Sequence, residues 1–152
     1  MAASESVTAL IDQLVALFNE RSMDLPEKAF TRNTQFLLND VPFEEMLGRS
    51  PQDPLVLMLA RGPAGYRFTA KAVQHAVPDA TLTRGELREV DDRDGVVVHG
   101  QCWLSGHYRG TGTPIELLVD VELHLSGATV QRAHVRIDPE HVKQLQEARL
   151  RS

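Results

Sequence analysis

Residues 95–138, GVVVHGQCWLSGHYRGTGTPIELLVDVELHLSGATVQRAHVRID, alternate apolar and polar side chains with a period of two. Successive strand residues point to opposite faces, so the stretch reads as three antiparallel strands joined by two tight turns. Between Ile115 and Leu125 one face carries Ile115, Leu117, Val119, Val121 and Leu123, and the other carries Glu116, Leu118, Asp120, Glu122 and His124. Arg109 to Thr113 and Ser126-Gly127 supply the turn residues. With the middle of each turn as pairing axis, His99 falls opposite His124, Gln101 opposite Glu122, Trp103 opposite Asp120 and His107 opposite Glu116. Across the second turn Asp120 meets Ala133 and Glu122 meets Gln131. One face then collects histidines, a glutamine, a tryptophan and carboxylates into a candidate site. Its integrity depends on register, because a slip of one residue exchanges the two faces.

The rest of the chain is read as support for this sheet. Its 152 residues suit one domain over 1–152, large enough to bury a core, with 139–151 as a C-terminal helical extension. A net charge of -5, from 16 basic and 21 acidic residues, offers no basic field for a phosphate backbone, so nucleic acid is not an expected partner. The single cysteine, Cys102, leaves no internal disulfide and fits a reducing, cytoplasmic setting. No apolar run reaches the length of a membrane span, and no membrane partner is expected.

Upstream, Val7, Leu10, Ile11, Leu14, Val15, Leu17 and Phe18 recur at helical spacing, with Ser4 or Ser6 as cap. Pro26 to Phe30 reads as a short second helix, Thr34 to Leu38 as a strand, and Asn39 to Pro42 as a turn. Asp53 to Gly62 suits a capped helix. The run from Tyr66 to Val77 alternates enough for a strand, but its alanines and the spacing of Phe68, Ala72, Val73, Ala76 and Val77 favour a helix. Ala80 to Val90 reads as a strand with Gly85 at a bulge. Asp138 and Pro139 cap and open a last helix.

The order of helices followed by an antiparallel meander is that of an α+β fold in which helices cover one face of a curved sheet. Three motifs carry a resemblance: Leu14-Val15-Ala16-Leu17-Phe18, Val77-Pro78-Asp79 and Leu118-Val119-Asp120-Val121. In these the chain resembles the nuclear transport factor 2-like superfamily, and within it the SnoaL-like and ketosteroid-isomerase-like proteins. The resemblance covers nearly everything up to Asp138. It implies a cone-shaped sheet of the cystatin-like kind, a pocket on the concave face beneath the first and third helices, and a convex face that packs against a second subunit. It also places Asp120 at the pocket acid that hydrogen-bonds a substrate oxygen, and the general base within Leu38-Asn39-Asp40, where Asp40 is the carboxylate. Leu14 stands where the isomerases carry a tyrosine.

Together these readings nominate Asp120, His99 and Asp40 for general acid/base work, since a mid-strand carboxylate needs a partner or a raised pKa. Trp103, Gln101, Glu122, Leu118, Ala133, Val135, Leu14 and Phe18 are nominated as binding residues. Ala133, Val135 and Ile137 are assigned to the pocket and Arg132, His134 and Arg136 to the opposite side. A structural carboxylate and solvated cross-strand pairs are the competing reading of the same polar residues. His99 and His107 lie about 26 Å apart along one strand, so one ion cannot take both, and neither metal nor other cofactor is expected. The expected activity is isomerase, cyclase or dehydratase chemistry on a small, mainly apolar molecule, or alternatively non-catalytic binding in a dimer. The aliphatic row from Ile115 to Leu123, with no predicted element to cover it, is the expected homodimer surface.

Overall fold

The computed structural model describes residues 5–22, 25, 29–42, 62–93, 95–127 and 129–149. Among the described residues, three helices and six strands run in the order α1 (Glu5–Asn19), β1 (Phe30–Leu38), β2 (Val41–Pro42), α2 (Gly62–Ala76), β3 (Thr81–Asp92), β4 (Gly95–His107), β5 (Pro114–Ser126), β6 (Thr129–Arg136) and α3 (Pro139–Arg149). The strands form one curved sheet in the order β2-β1-β6-β5-β4-β3, and with the helices give an α+β fold. All neighbours are antiparallel except β1 and β6, which run parallel.

Helix α1 forms on the expected stripe and buries Val7, Ile11 and Phe18. The stretch read as helix rather than strand is α2, which buries Ala70 and Ala76. The Asp138 carboxylate accepts from the Glu140 amide at 2.9 Å and caps α3. Ser6 lies inside α1 rather than capping it, and Pro26 to Lys28, the helix read over 53–62 up to residue 61, and the other candidate cap, Ser4, lie outside the described residues. Phe30, expected to end a helix, instead opens β1, stacked 6.2 Å from Phe36. Phe30 is 3% exposed there and packs in the core.

Which face of the sheet the helices cover is the main departure from the sequence reading. Ile115, Leu117, Val119, Leu123 and Leu125 are buried, with Val98, Cys102 and Leu104 of β4 beside them. The aliphatic row is therefore the inner face, beneath α1 and α2, and not an uncovered dimer surface. In a single-layer sheet the face that leaves water is the apolar one. The expected concentration of Asp120, Glu122 and His99 in the pocket is corrected accordingly, because they stand on the outer face.

Register explains the rest. Between β4 and β5, His99 pairs with Glu122, Gln101 with Asp120, Trp103 with Leu118 and His107 with Pro114. This lies two residues from the expected pairing and keeps the faces. Between β5 and β6 the tight turn pairs Ser126 with Thr129 and Leu125 with Val130, and then an irregularity shifts the register so that His124 meets Arg132. Gln131 is the extra residue of that bulge. Beyond it Leu123 pairs with Ala133, Val121 with Val135 and Asp120 with Arg136. Ala133 and Val135 thereby join the aliphatic face, and Arg132, His134 and Arg136 join Asp120 and Glu122. A second shift, between Arg84 and Leu87, falls where Gly85 signals a bulge.

Candidate functional site: an apolar cavity under the helices and a polar outer face

The inner face and the two helices border a cavity of about 220 Å³ that is open on one side. Its wall includes Leu14, Val15 and Phe18 of α1, Tyr66 and Val73 of α2, Leu104 of β4 and Val119 and Val121 of β5. Leu14, Phe18, Ala133 and Val135 are thus brought together on this wall. Asp120, His99, Asp40, Gln101, Glu122, Trp103 and Leu118 are not among its lining residues.

Local structure explains why space remains. Beside Gly100, which faces inward from β4, Leu87 already fills the place of a side chain, since a Cβ there would come within 2.6 Å of Leu87 Cδ2; the room lies elsewhere on the wall. Ala70 and Ala133 are short side chains at buried wall positions. Among the described lining residues, side-chain heteroatoms occur only in Tyr66, Thr69 and Cys102. The Tyr66 hydroxyl donates to the Ser22 carbonyl at 3.4 Å. Burial pushes both the Tyr66 phenol and the Cys102 thiol above their ordinary pKa, so both are neutral at physiological pH. No carboxylate or imidazole of the described residues lines the cavity. Sequence reasoning missed Tyr66, Gly100 and Cys102, although the parity of β4 places Gly100 and Cys102 on the side away from Trp103.

The outer face carries the ionisable groups. Glu122, with its side chain 18% exposed, is their hub: Arg136 Nη1 donates to Oε2 at 3.3 Å, and the ring nitrogens of His124, His134 and His99 lie 3.6, 3.9 and 4.0 Å from its oxygens. Asp40 sits in the two-residue turn between β1 and β2, where Asn39 and Asp40 both have positive φ. Its amide donates to His134 Nε2 at 2.8 Å, so that nitrogen carries no proton and the ring proton is on Nδ1, toward Glu122. Burial, then Arg136, lower the His134 pKa, against the opposing pull of Asp40 and Glu122, with Arg132 adding to the depression. Glu86, Arg88, His99, Gln101, Asp120 and Arg136 line a polar depression of about 350 Å³ on this face. Trp103 is 43% exposed beside its partner Leu118. Among the described residues no group of three His, Cys, Asp or Glu side chains is set to hold a metal ion.

His107 lies apart from both sites. Its amide and Nδ1 meet the two Asp79 oxygens at 2.8 and 2.6 Å, and those bonds lower the Asp79 pKa. This pair ties the Pro78-Asp79 turn to β4.

No family model and no curated protein sequence matches the chain. Solved structures do match in shape. A SnoaL-like polyketide cyclase from Agrobacterium tumefaciens is 13% identical, with 94% of this chain and 99% of that one covered at a TM-score of 0.63. TerC, co-crystallised with polyporic acid, is 17% identical, with 94% and 99% covered and a TM-score of 0.62. A Catenulispora acidiphila protein of ketosteroid-isomerase-like fold, in complex with trimethylamine, is 10% identical, with 83% and 82% covered and a TM-score of 0.58. The chain has the α+β fold of the nuclear transport factor 2-like superfamily, in the form shared by SnoaL-like and ketosteroid-isomerase-like proteins. No helix among the described residues is long and apolar enough to cross a membrane.

Proposed function

We propose that the protein is a SnoaL-like small-molecule-binding protein that holds a small, mainly apolar ligand between α1, α2 and the inner face of the sheet. The observation that carries this reading is the cavity of about 220 Å³ with its almost wholly apolar wall. Ligand sites are concave and mostly apolar, and unfilled apolar volume costs stability unless a ligand offsets it. TerC, of the same fold, was crystallised with an organic ligand. Naphthalene, followed by its own fluorescence, is expected to bind the purified protein, and Ala133→Leu, which fills the wall, is expected to weaken binding at least tenfold. Unchanged affinity in that variant would remove the cavity as the site.

A second reading is isomerase, cyclase or dehydratase chemistry, with Asp120 and His99 as acid and base. It is favoured by the polar depression these two share with Gln101 and Arg136. The substrate would then lie against the outer face. Loss of turnover of an enolisable ketone in Asp120→Asn supports this reading, whereas equal turnover in both proteins removes it. A homodimer through the outer face belongs to the first reading, since exposed Trp103 and its partner Leu118 are apolar there. Sedimentation at micromolar concentration is expected to give twice the 16.9 kDa chain mass, and the single chain mass in Trp103→Glu.

A further inference from the structure

We infer that the part of a ligand entering the cavity is an unfunctionalised hydrocarbon of one or two rings, without hydroxyl, carbonyl, amine or carboxylate. The inference rests on the binding reading above and narrows it to a chemical class.

Size sets one bound. A cavity of about 150 Å³ lined by aliphatic and aromatic side chains stays dry and takes benzene. The space here is about 220 Å³, enough for that ring and some further carbon.

Wall chemistry sets the other bound. Of the three described lining side chains with a heteroatom, Tyr66 directs its hydroxyl to the Ser22 carbonyl, and burial holds the Cys102 thiol protonated. Thr69 is the third, and almost none of the wall surface belongs to polar atoms. A hydroxyl entering this space gives up its water and meets almost no polar surface in exchange. In a medium that can still hydrogen-bond, that transfer costs a factor of about 2 to 30, and in one that cannot, far more. An ammonium or carboxylate is penalised more strongly still. The cavity therefore selects by rejection of polar groups, and the acid/base residues of the outer face do not reach what it holds.

Calorimetric titration of the intact protein with two matched pairs, toluene against phenol and naphthalene against 2-naphthol, tests this. The expected result is binding of at least one hydrocarbon, with its hydroxylated partner more than about 30-fold weaker, beyond the range of a hydrogen-bonding medium. A smaller ratio, with the hydrocarbon bound and Ala133→Leu weakening it, overturns the inference and leaves the cavity reading standing. Failure of both hydrocarbons to bind overturns the cavity reading and the inference with it.

Discussion

At the scale of single residues, His134 shows how the outer face couples to pH. Its side chain is 8% exposed, and the Asp40 amide uses Nε2 as an acceptor. Arg132 and Arg136 oppose protonation of the ring, while Glu122 and the Asp40 carboxylate favour it, and burial tips the balance toward the neutral form. A histidine whose folded pKa lies below its ordinary 6.5 binds fewer protons folded than unfolded. Its contribution is thus complete above about 6.5 and is lost as pH falls through the depressed value. Thermal melts between pH 7.5 and 5 are expected to show Tm falling with acidity, with a shallower slope in His134→Gln. Equal slopes would mean that other groups set the dependence.

Thr34 makes a second case at this scale. Its hydroxyl, 1% exposed, donates to the Val130 carbonyl at 2.7 Å and accepts from the Thr31 amide at 3.2 Å. It bridges the irregular stretch where β1 and β6 lose regular pairing between Phe30 and Gln35. Thr34→Val keeps the shape and strands the carbonyl, so chemical denaturation should show a loss of about 1–3 kcal/mol. An unchanged midpoint would assign the bridge no role.

At the scale of elements, the legible part of the sequence was the part governed by local pattern. The stripe from Val7 to Phe18, the alanine-rich run of α2 and the alternation of β4 and β5 each declare their element, because burial repeats with the element's own period. The parallel pairing of β1 with β6 had no such signal, since it joins residues about a hundred positions apart. Nor did the bulge at Gln131, which is exposed and ordinary in type. That one residue decides whether Ala133 or His134 faces the helices. The polar residues of β5 invited a chemical reading of their face, yet hydrophobic burial decides which face turns inward. Gln131→Ala, an exposed change, is expected to stay within about 0.5 kcal/mol of the parent. Deleting Gln131 would turn Arg132, His134 and Arg136 toward the cavity and should abolish the cooperative unfolding transition. A deletion variant with a sharp, native-like melt would show that β6 tolerates either parity.

At the scale of the whole molecule, one sheet separates two chemistries that the sequence reading had merged. Its inner surface holds a low-dielectric space, and its outer surface holds the titratable groups around Glu122. Fold likeness at 10–17% identity carries no activity across, because a single architecture hosts many functions. Contacts at the fold's edge keep the end of α1 seated. The Asn19 side chain exchanges two hydrogen bonds with the Leu82 backbone, and Arg21 donates to the Ala80 and Pro78 carbonyls.

The position of Cys102 makes it a clock. It is the only thiol in the chain, it borders the cavity, and burial holds it in its unreactive protonated form. A disulfide reagent in solution must enter this space to reach it, so the modification rate counts how often the helices and the sheet admit one. Saturating naphthalene is expected to slow the reaction several-fold in the parent protein and to leave it unchanged in Ala133→Leu. Rapid modification, indifferent to naphthalene, would show instead that the space under the helices is open to solvent at all times.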